Sequence, residues 1–163
     1  MIDTQVRAAA ERVLDLCRGR GLKVVTAESC TGGLVAGALT DIAGSSDVVD
    51  CGLVTYSNAA KEHLLGVPAH VLGKHGAVSR ETAEAMAQGA LKRSGADLAV
   101  AITGIAGPGG GSAEKPVGLV HFAVARGSTL KAREQRFGDI GRSEVRRLSV
   151  LVALAMVAEL AEA

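Results

Sequence analysis

Apolar positions recur along the chain with two different periods, and their alternation lays out a protein of mixed helices and strands. Val6, Ala9, Ala10, Val13, Leu14 and Cys17 follow the three-to-four spacing of an amphipathic helix over residues 3–18, with Gly19 and Gly21 as stop signals. Lys23-Val24-Val25 reads as a short buried strand, and a second helix runs over residues 34–42 until Ala43-Gly44-Ser45-Ser46 breaks it. Residues 48–56 are rich in β-branched and apolar side chains and read as a second strand. Ser57-Asn58 then offers an N-cap to a short helix over 59–65 that stops at Gly66, and a further helical piece spans 68–75. A clearer helix covers 79–92, with Thr82, Ala83, Met86 and Ala90 facing inward. Residues 98–103 are apolar almost throughout, which predicts a central strand covered on both faces. A glycine-rich loop over 104–115 leads to strands at 116–125 and 129–137, a hairpin around Arg126-Gly127-Ser128, and a long amphipathic helix over 142–162 closes the chain.

Helices before, between and after strands predict one three-layer α/β/α domain over residues 1–163, and the closing hairpin makes its mostly parallel sheet mixed. Ligands of such sheets sit beyond the strand C-termini, among the loops that follow them. Three loops qualify, at residues 28–33, 56–61 and 103–116, and all three carry unusual residues.

Composition narrows the class. Apolar residues make up 48% of the 163, but aromatics only 2%, so the core is aliphatic and alanine-rich. A formal charge of +1 without a basic run, and one Tyr, two Phe and no Trp for stacking, argue against nucleic acid as the partner. Cys17, Cys30 and Cys51 are odd in number and form no C-x-x-C pair, so neither a disulfide framework nor a zinc knuckle is expected; Cys17 and Cys51 read as core fillers. No leader is evident at the N-terminus, and the apolar run at 148–160 is too short to span a bilayer, so a cytoplasmic protein without membrane attachment is expected.

The stretch Thr26-Ala27-Glu28-Ser29-Cys30-Thr31-Gly32-Gly33 joins a strand to a glycine-opened helix, an arrangement that leaves backbone N–H groups free for a phosphate, a carboxylate or an oxyanion. Ser29 is a candidate nucleophile there; the plain alternative is that Ser29 or Thr31 caps the helix. Lys61 falls in the opening turn of a helix, where the macrodipole disfavours a cation, and a lysine with a lowered pKa can take a proton from a serine hydroxyl. Its alternative is a solvated surface lysine. The run from Gly104 through Gly107, Gly109 and Gly110 to Ser112 lets backbone approach a ligand closely, and Thr103 sets a hydroxyl at the end of its strand. It is neither a phosphate-binding Walker loop nor a dinucleotide fingerprint, so a flexible connector is the competing reading. Lys115 is placed to meet an anion, and Arg142, Arg146 and Arg147 open the last helix at the wrong end for its dipole, which suits an anionic ligand better than helix stability. His63, His70, His75 and His121 have no metal-ligand spacing, and no metal is expected; hydrolysis then requires Ser29, Cys30 or an activated water.

These pieces, in this order, resemble the CinA C-terminal domain family, the nicotinamide-nucleotide amidohydrolases. The matching stretches are T-A-E-S-C-T-G-G from position 26, D-I-A-G-S-S from 41, V-T-Y-S-N-A-A-K from 54, H-G-A-V-S from 75, T-G-I-A-G-P-G-G-G from 103 and K-P-V-G from 115. The resemblance implies deamidation of nicotinamide mononucleotide to nicotinate mononucleotide and ammonia, with no cofactor. It makes Ser29 the nucleophile, Lys61 its base, Thr103 a further hydroxyl near the reacting centre and Tyr56 a contact to the ring. Glu28, Cys30, Thr31, Gly32 and Gly33 are then expected around the substrate, with amides near residues 31–33 holding the oxyanion. The glycine loop (Gly104, Gly107, Gly109, Gly110), Lys115, Arg142 and Arg146 are expected at the phosphate. Many relatives carry a compact G-D-R-x-x-V-R before the last helix; here Gly138-Asp139 lies early and only the arginine and V-R spacing remain. The amphipathic first and last helices lead to an expected homodimer. Two other functions compete: a domain that binds a nucleotide without turning it over, and a competence-associated accessory protein.

Overall fold

A computed structural model describes residues 2–163. The elements run α1 (Thr4–Arg20), β1 (Val24–Glu28), α2 (Leu34–Thr40), a 3₁₀ turn (Ser45–Asp47), β2 (Val49–Val54), α3 (Asn58–Leu65), α4 (Ala69–His75), α5 (Arg80–Arg93), β3 (Leu98–Gly104), β4 (Leu119–Arg126), β5 (Thr129–Arg136) and α6 (Arg142–Glu162). Local signals set most boundaries. Asp3 accepts from the Val6 amide at 2.9 Å to start α1, and Gly21 ends it in the left-handed region. Ser57 and Ser79 cap α3 and α5 in the same way, through the amides of Ala60 and Thr82.

The sheet order is β2-β1-β3-β4-β5. β1 pairs in parallel with both β2 and β3, whereas β4 is antiparallel to β3 and to β5, so four of the five strands point the same way. The two chain connections leaving β1 and returning to β3 lie on opposite faces: α2 joins β1 to β2 on one, and α3 to α5 join β2 to β3 on the other. Their loops therefore diverge above the C-terminal ends of β1 and β3, which opens a crevice there.

Strand alternation sorts the core by size. Val24, Leu98, Val100, Ile102, Val120, Phe122 and Val124 face α1, α2 and α6. Val25, Ala27, Ala99, Ala101, Ala123 and Ala125 face α3, α4 and α5. The alanine face lets α5 lie close on the sheet through Ala83, Met86, Ala87 and Ala90. Each buried Val, Leu or Ile of either layer contributes about 1.5–3 kcal/mol. β3 is buried from Leu98 to Thr103, as a central strand requires.

Three expectations change. β1 extends through Glu28 instead of ending at Val25, because parallel ladders on both sides continue to Val54 and Ile102. The turn therefore begins at Ser29. The second helix ends at Thr40, since a 3₁₀ turn follows at Ser45–Asp47. Cys17 is a core residue, but Cys51 lies on the edge strand β2 and is only half-buried. No helix among the described residues is long and apolar enough to cross a membrane.

Candidate functional site

The site is assembled from the ends of β1 and β3, the start of α3 and the start of α6. Glu28, the last residue of β1, is fully buried and turns toward α2. Its carboxylate accepts the amides of Gly33 (3.1 Å), Val35 (3.0 Å) and Ala36 (2.9 Å), capping a helix whose own N-cap position is a glycine without a side chain. Glu28 is thus a structural anchor rather than a substrate contact. It also removes Gly33 as a ligand donor. The Gly32 amide donates to Ser29 O and the Leu34 amide to Thr31 O, so the helix start is closed to a ligand. Thr31 is fully buried, with its hydroxyl unpartnered.

Ser29 follows directly. Its amide donates to Ile102 O at 2.9 Å, which ties the residue to β3 and fixes its Oγ at the sheet's end. Lys61 reaches the same point from the first turn of α3 and is 1% exposed. Its Nζ stands 3.0 Å from Ser29 Oγ, 2.8 Å from Thr55 O and 3.4 Å from Tyr56 O. Burial holds the amine below the ordinary lysine value of 10.5, and no carboxylate lies within salt-bridge distance among the described residues. The sequence pointed to the helix dipole together with burial, and loss of water around Nζ is the leading cause in the structure. Two carbonyls can hold two N–H groups of a neutral amine, which turns its lone pair toward the serine hydroxyl. That is the geometry of a base and its nucleophile.

Cys30 borders the same cavity, but burial pushes its thiol up to about 12, so it carries no thiolate near neutrality. Thr103, at the end of β3, donates its hydroxyl to Ala77 O at 2.7 Å and offers the cavity only its lone pairs. The cavity is about 270 Å³. Its far wall is the backbone of the glycine loop, Gly104, Gly107, Gly109 and Gly110. Gly104 must lack a side chain, because a Cβ there would meet Leu119 O at 2.8 Å and Val120 Cα at 2.9 Å. Gly107 and Gly110 take positive φ angles of 81° and 87°, open to glycine at no cost. Arg142, the first residue of α6, spans the mouth by donating to Gly107 O (2.8 Å) and to the exposed Tyr56 hydroxyl (2.9 Å).

Three other cations fall outside the cavity. Lys115 donates to His75 O at 2.6 Å, supporting the segment between α4 and α5. Arg146 donates to Cys30 O and Thr31 O beneath the Ser29 turn, and Arg147 is engaged by Glu144 and Asp3. A phosphate role for Lys115 and Arg146 is therefore not what their geometry offers, and Arg142 is the arginine at the cavity. Ala77 and Val78 form a wall that sequence reasoning missed; the only signal was the H-G-A-V-S stretch, in which these two side chains are apolar and carry no reactive group. A larger cavity of about 620 Å³ lies against α4 and α5, lined by Pro68, Val71, Gln88 and Lys92, but its lining contains no serine, threonine or cysteine. No cluster of three or more His, Cys, Asp or Glu suited to a metal ion occurs among the described residues.

The family model of the CinA C-terminal domain matches residues 6–161. The chain is 51% identical over 156 residues to the nicotinamide-nucleotide amidohydrolase PncC of Escherichia coli, an alignment that covers 94% of this chain and 93% of that protein. It is 51% identical over 146 residues to a CinA-like protein of Parasynechococcus marenigrum, covering 89% of this chain but 35% of the longer relative. Among solved structures, the competence/damage inducible protein CihA of Agrobacterium tumefaciens superposes with a TM-score of 0.96 at 56% identity, covering 98% of both chains.

Proposed function

The chain belongs to the CinA C-terminal domain family, and from that premise we propose that it hydrolyses the carboxamide of nicotinamide mononucleotide to nicotinate mononucleotide and ammonia. The observation that carries this reading is the buried contact of 3.0 Å between Lys61 Nζ and Ser29 Oγ, both lining the cavity of about 270 Å³.

In the proposed sequence Ser29 Oγ attacks the carboxamide carbon while Lys61 takes its proton. The tetrahedral oxyanion needs N–H donors, and the closure of the α2 start leaves few. Among the described residues, the amides of Cys30 and Thr31 donate to no backbone or side-chain oxygen, and of the two only Cys30 lines the cavity, which makes its amide the candidate in place of residues 32 and 33. As the C–N bond breaks, Lys61 returns the proton to the departing nitrogen and ammonia leaves. Water then attacks the Ser29 ester, Lys61 again accepting a proton, and the carboxylate product departs as the serine is reprotonated. Thr103, facing the cavity as an acceptor, suits an N–H of the carboxamide. Arg142 stands where exchange of its Tyr56 and Gly107 partners for a phosphate is possible, and Tyr56 lies beside it for the pyridine ring.

The sequence of steps uses no metal and no cofactor. The test is ammonia release from nicotinamide mononucleotide by the purified protein with and without EDTA. Equal rates in both are expected. Activity that EDTA abolishes would overturn the metal-free mechanism. Calorimetric binding of the nucleotide without any ammonia would replace the enzyme by a binding module.

A further inference from the structure

The turn that presents Ser29 has no regular hydrogen-bond ladder of its own at Cys30 and Thr31. The Thr31 carbonyl accepts the Leu34 amide, and both it and the Cys30 carbonyl are held by a residue 115 and 116 positions away. Arg146, one turn into α6, donates through Nε to Cys30 O at 3.0 Å and through Nη2 to Thr31 O at 3.2 Å. The guanidinium has no carboxylate within salt-bridge distance among the described residues, whereas its neighbour Arg147 has two. A charged group on a surface helix ordinarily finds an acid or water; this one is committed to two peptide carbonyls. Gly32 supports the commitment: it adopts φ 56°, and a Cβ there would stand 3.3 Å from Arg146 Nη2.

A guanidinium that holds both carbonyls fixes the backbone of the turn that carries Ser29, and groups preorganised at a reacting centre are effective because they need not reorient during reaction. Cys30 borders the cavity, whereas Thr31 is fully buried outside its lining. We infer that Arg146 is a positioning residue for the nucleophile turn, clamping the carbonyls of Cys30 and Thr31 so that Ser29 Oγ and the Cys30 N–H keep their place at the cavity, rather than a group that binds substrate. The inference rests on Ser29 being the attacking residue.

The experiment uses the full chain with three variants, Arg146→Ala, Arg146→Lys and Arg146→Gln, and two readouts. One is kcat and KM for ammonia release from nicotinamide mononucleotide. The other is the rate at which a small fluorophosphonate modifies Ser29, which needs the nucleophile and its oxyanion donors but no nucleotide site. The expected result is a fall of about 10²-fold in kcat and in fluorophosphonate labelling for Arg146→Ala, with KM changed less than threefold. Low, non-denaturing guanidinium ion should restore part of the Arg146→Ala rate, and equimolar sodium chloride should not. Arg146→Lys should recover little, because an ammonium cannot hold both carbonyls in a plane. A rise in KM with kcat and labelling unchanged would overturn the clamp and make Arg146 a substrate contact. Loss without guanidinium rescue, accompanied by a lower Tm in all three variants, would reduce it to a packing residue. Should the wild type label at Ser29 but release no ammonia, the amidohydrolase reading fails while the labelling rates still decide the clamp; a wild type that does neither overturns both.

Discussion

Lys61 is an amine with almost no water around it and, among the described residues, no acid partner, and that combination has a direct consequence for pH dependence. The group must be neutral to accept the Ser29 proton, so kcat/KM should rise with pH along a limb whose apparent pKa lies below 10.5, the ordinary lysine value. A pH–rate profile checks this, and a limb at or above 10.5 would contradict it. The same shift acts on stability. The unfolded chain holds the Lys61 proton up to 10.5, and the folded chain loses it at a lower pH. In the window between those values the unfolded state binds more protons, so stability rises with pH there; below the window the cost of charging the buried amine is present in full. The residues Ser29 and Lys61 were legible as reactive types beside a strand end and in a helix's first turn. Their separation was not, because it depends on β1 and α3 converging across 32 positions of chain.

At the scale of elements, the decisive contact is Glu28 with the start of α2. Glycine at the N-cap leaves that helix without a local side-chain cap, and a carboxylate from the preceding strand substitutes for one. Glu28→Gln should destabilise the protein by about 2 kcal/mol or more, since an amide group would present N–H to N–H and lose the charge-assisted bonds. Urea denaturation measures this directly; an unchanged midpoint would show that the cap is dispensable. Periodicity revealed the helices well, and α6 occupies the residues its pattern marks. What the pattern did not reveal was the identity of each partner at the helix starts. A buried acid, a strand that runs three residues further to Glu28, and two cations engaged by carbonyls are all set by tertiary proximity, which spacing along the chain does not encode. Arg142 and Arg146 are four apart on one helix, yet one spans the cavity and the other lies under the nucleophile turn.

For the whole molecule, the sheet order explains why three separated loops meet. β1 lies between β2 and β3, the connections from β1 to β2 and from β2 to β3 cover opposite faces, and the loops after β1 and β3 part above the sheet. The third loop, after β2, supplies Tyr56 and Lys61 beside them. The mixed three-layer arrangement was legible from the alternation of helical and strand periods, while strand order was not, because pairing depends on which apolar faces fit. A ligand that bridges all three loops stabilises the native state by mass action. Nicotinate mononucleotide, the proposed product, at 100 times its dissociation constant should add about 2.7 kcal/mol. Thermal unfolding with and without it measures the gain; no shift at saturation would mean that the crevice does not bind the nucleotide.

The central claim is that Ser29 and Lys61 act together as nucleophile and base, and the most direct test compares ammonia release from nicotinamide mononucleotide by wild type, Ser29→Ala, Lys61→Ala and the double variant. Each single variant should lose about 10³-fold or more in kcat with its circular-dichroism spectrum intact, and the double variant should lose little more than either, because the two residues function as a unit. A Ser29→Ala protein that retains wild-type turnover, or losses that simply multiply in the double variant, would contradict the paired mechanism.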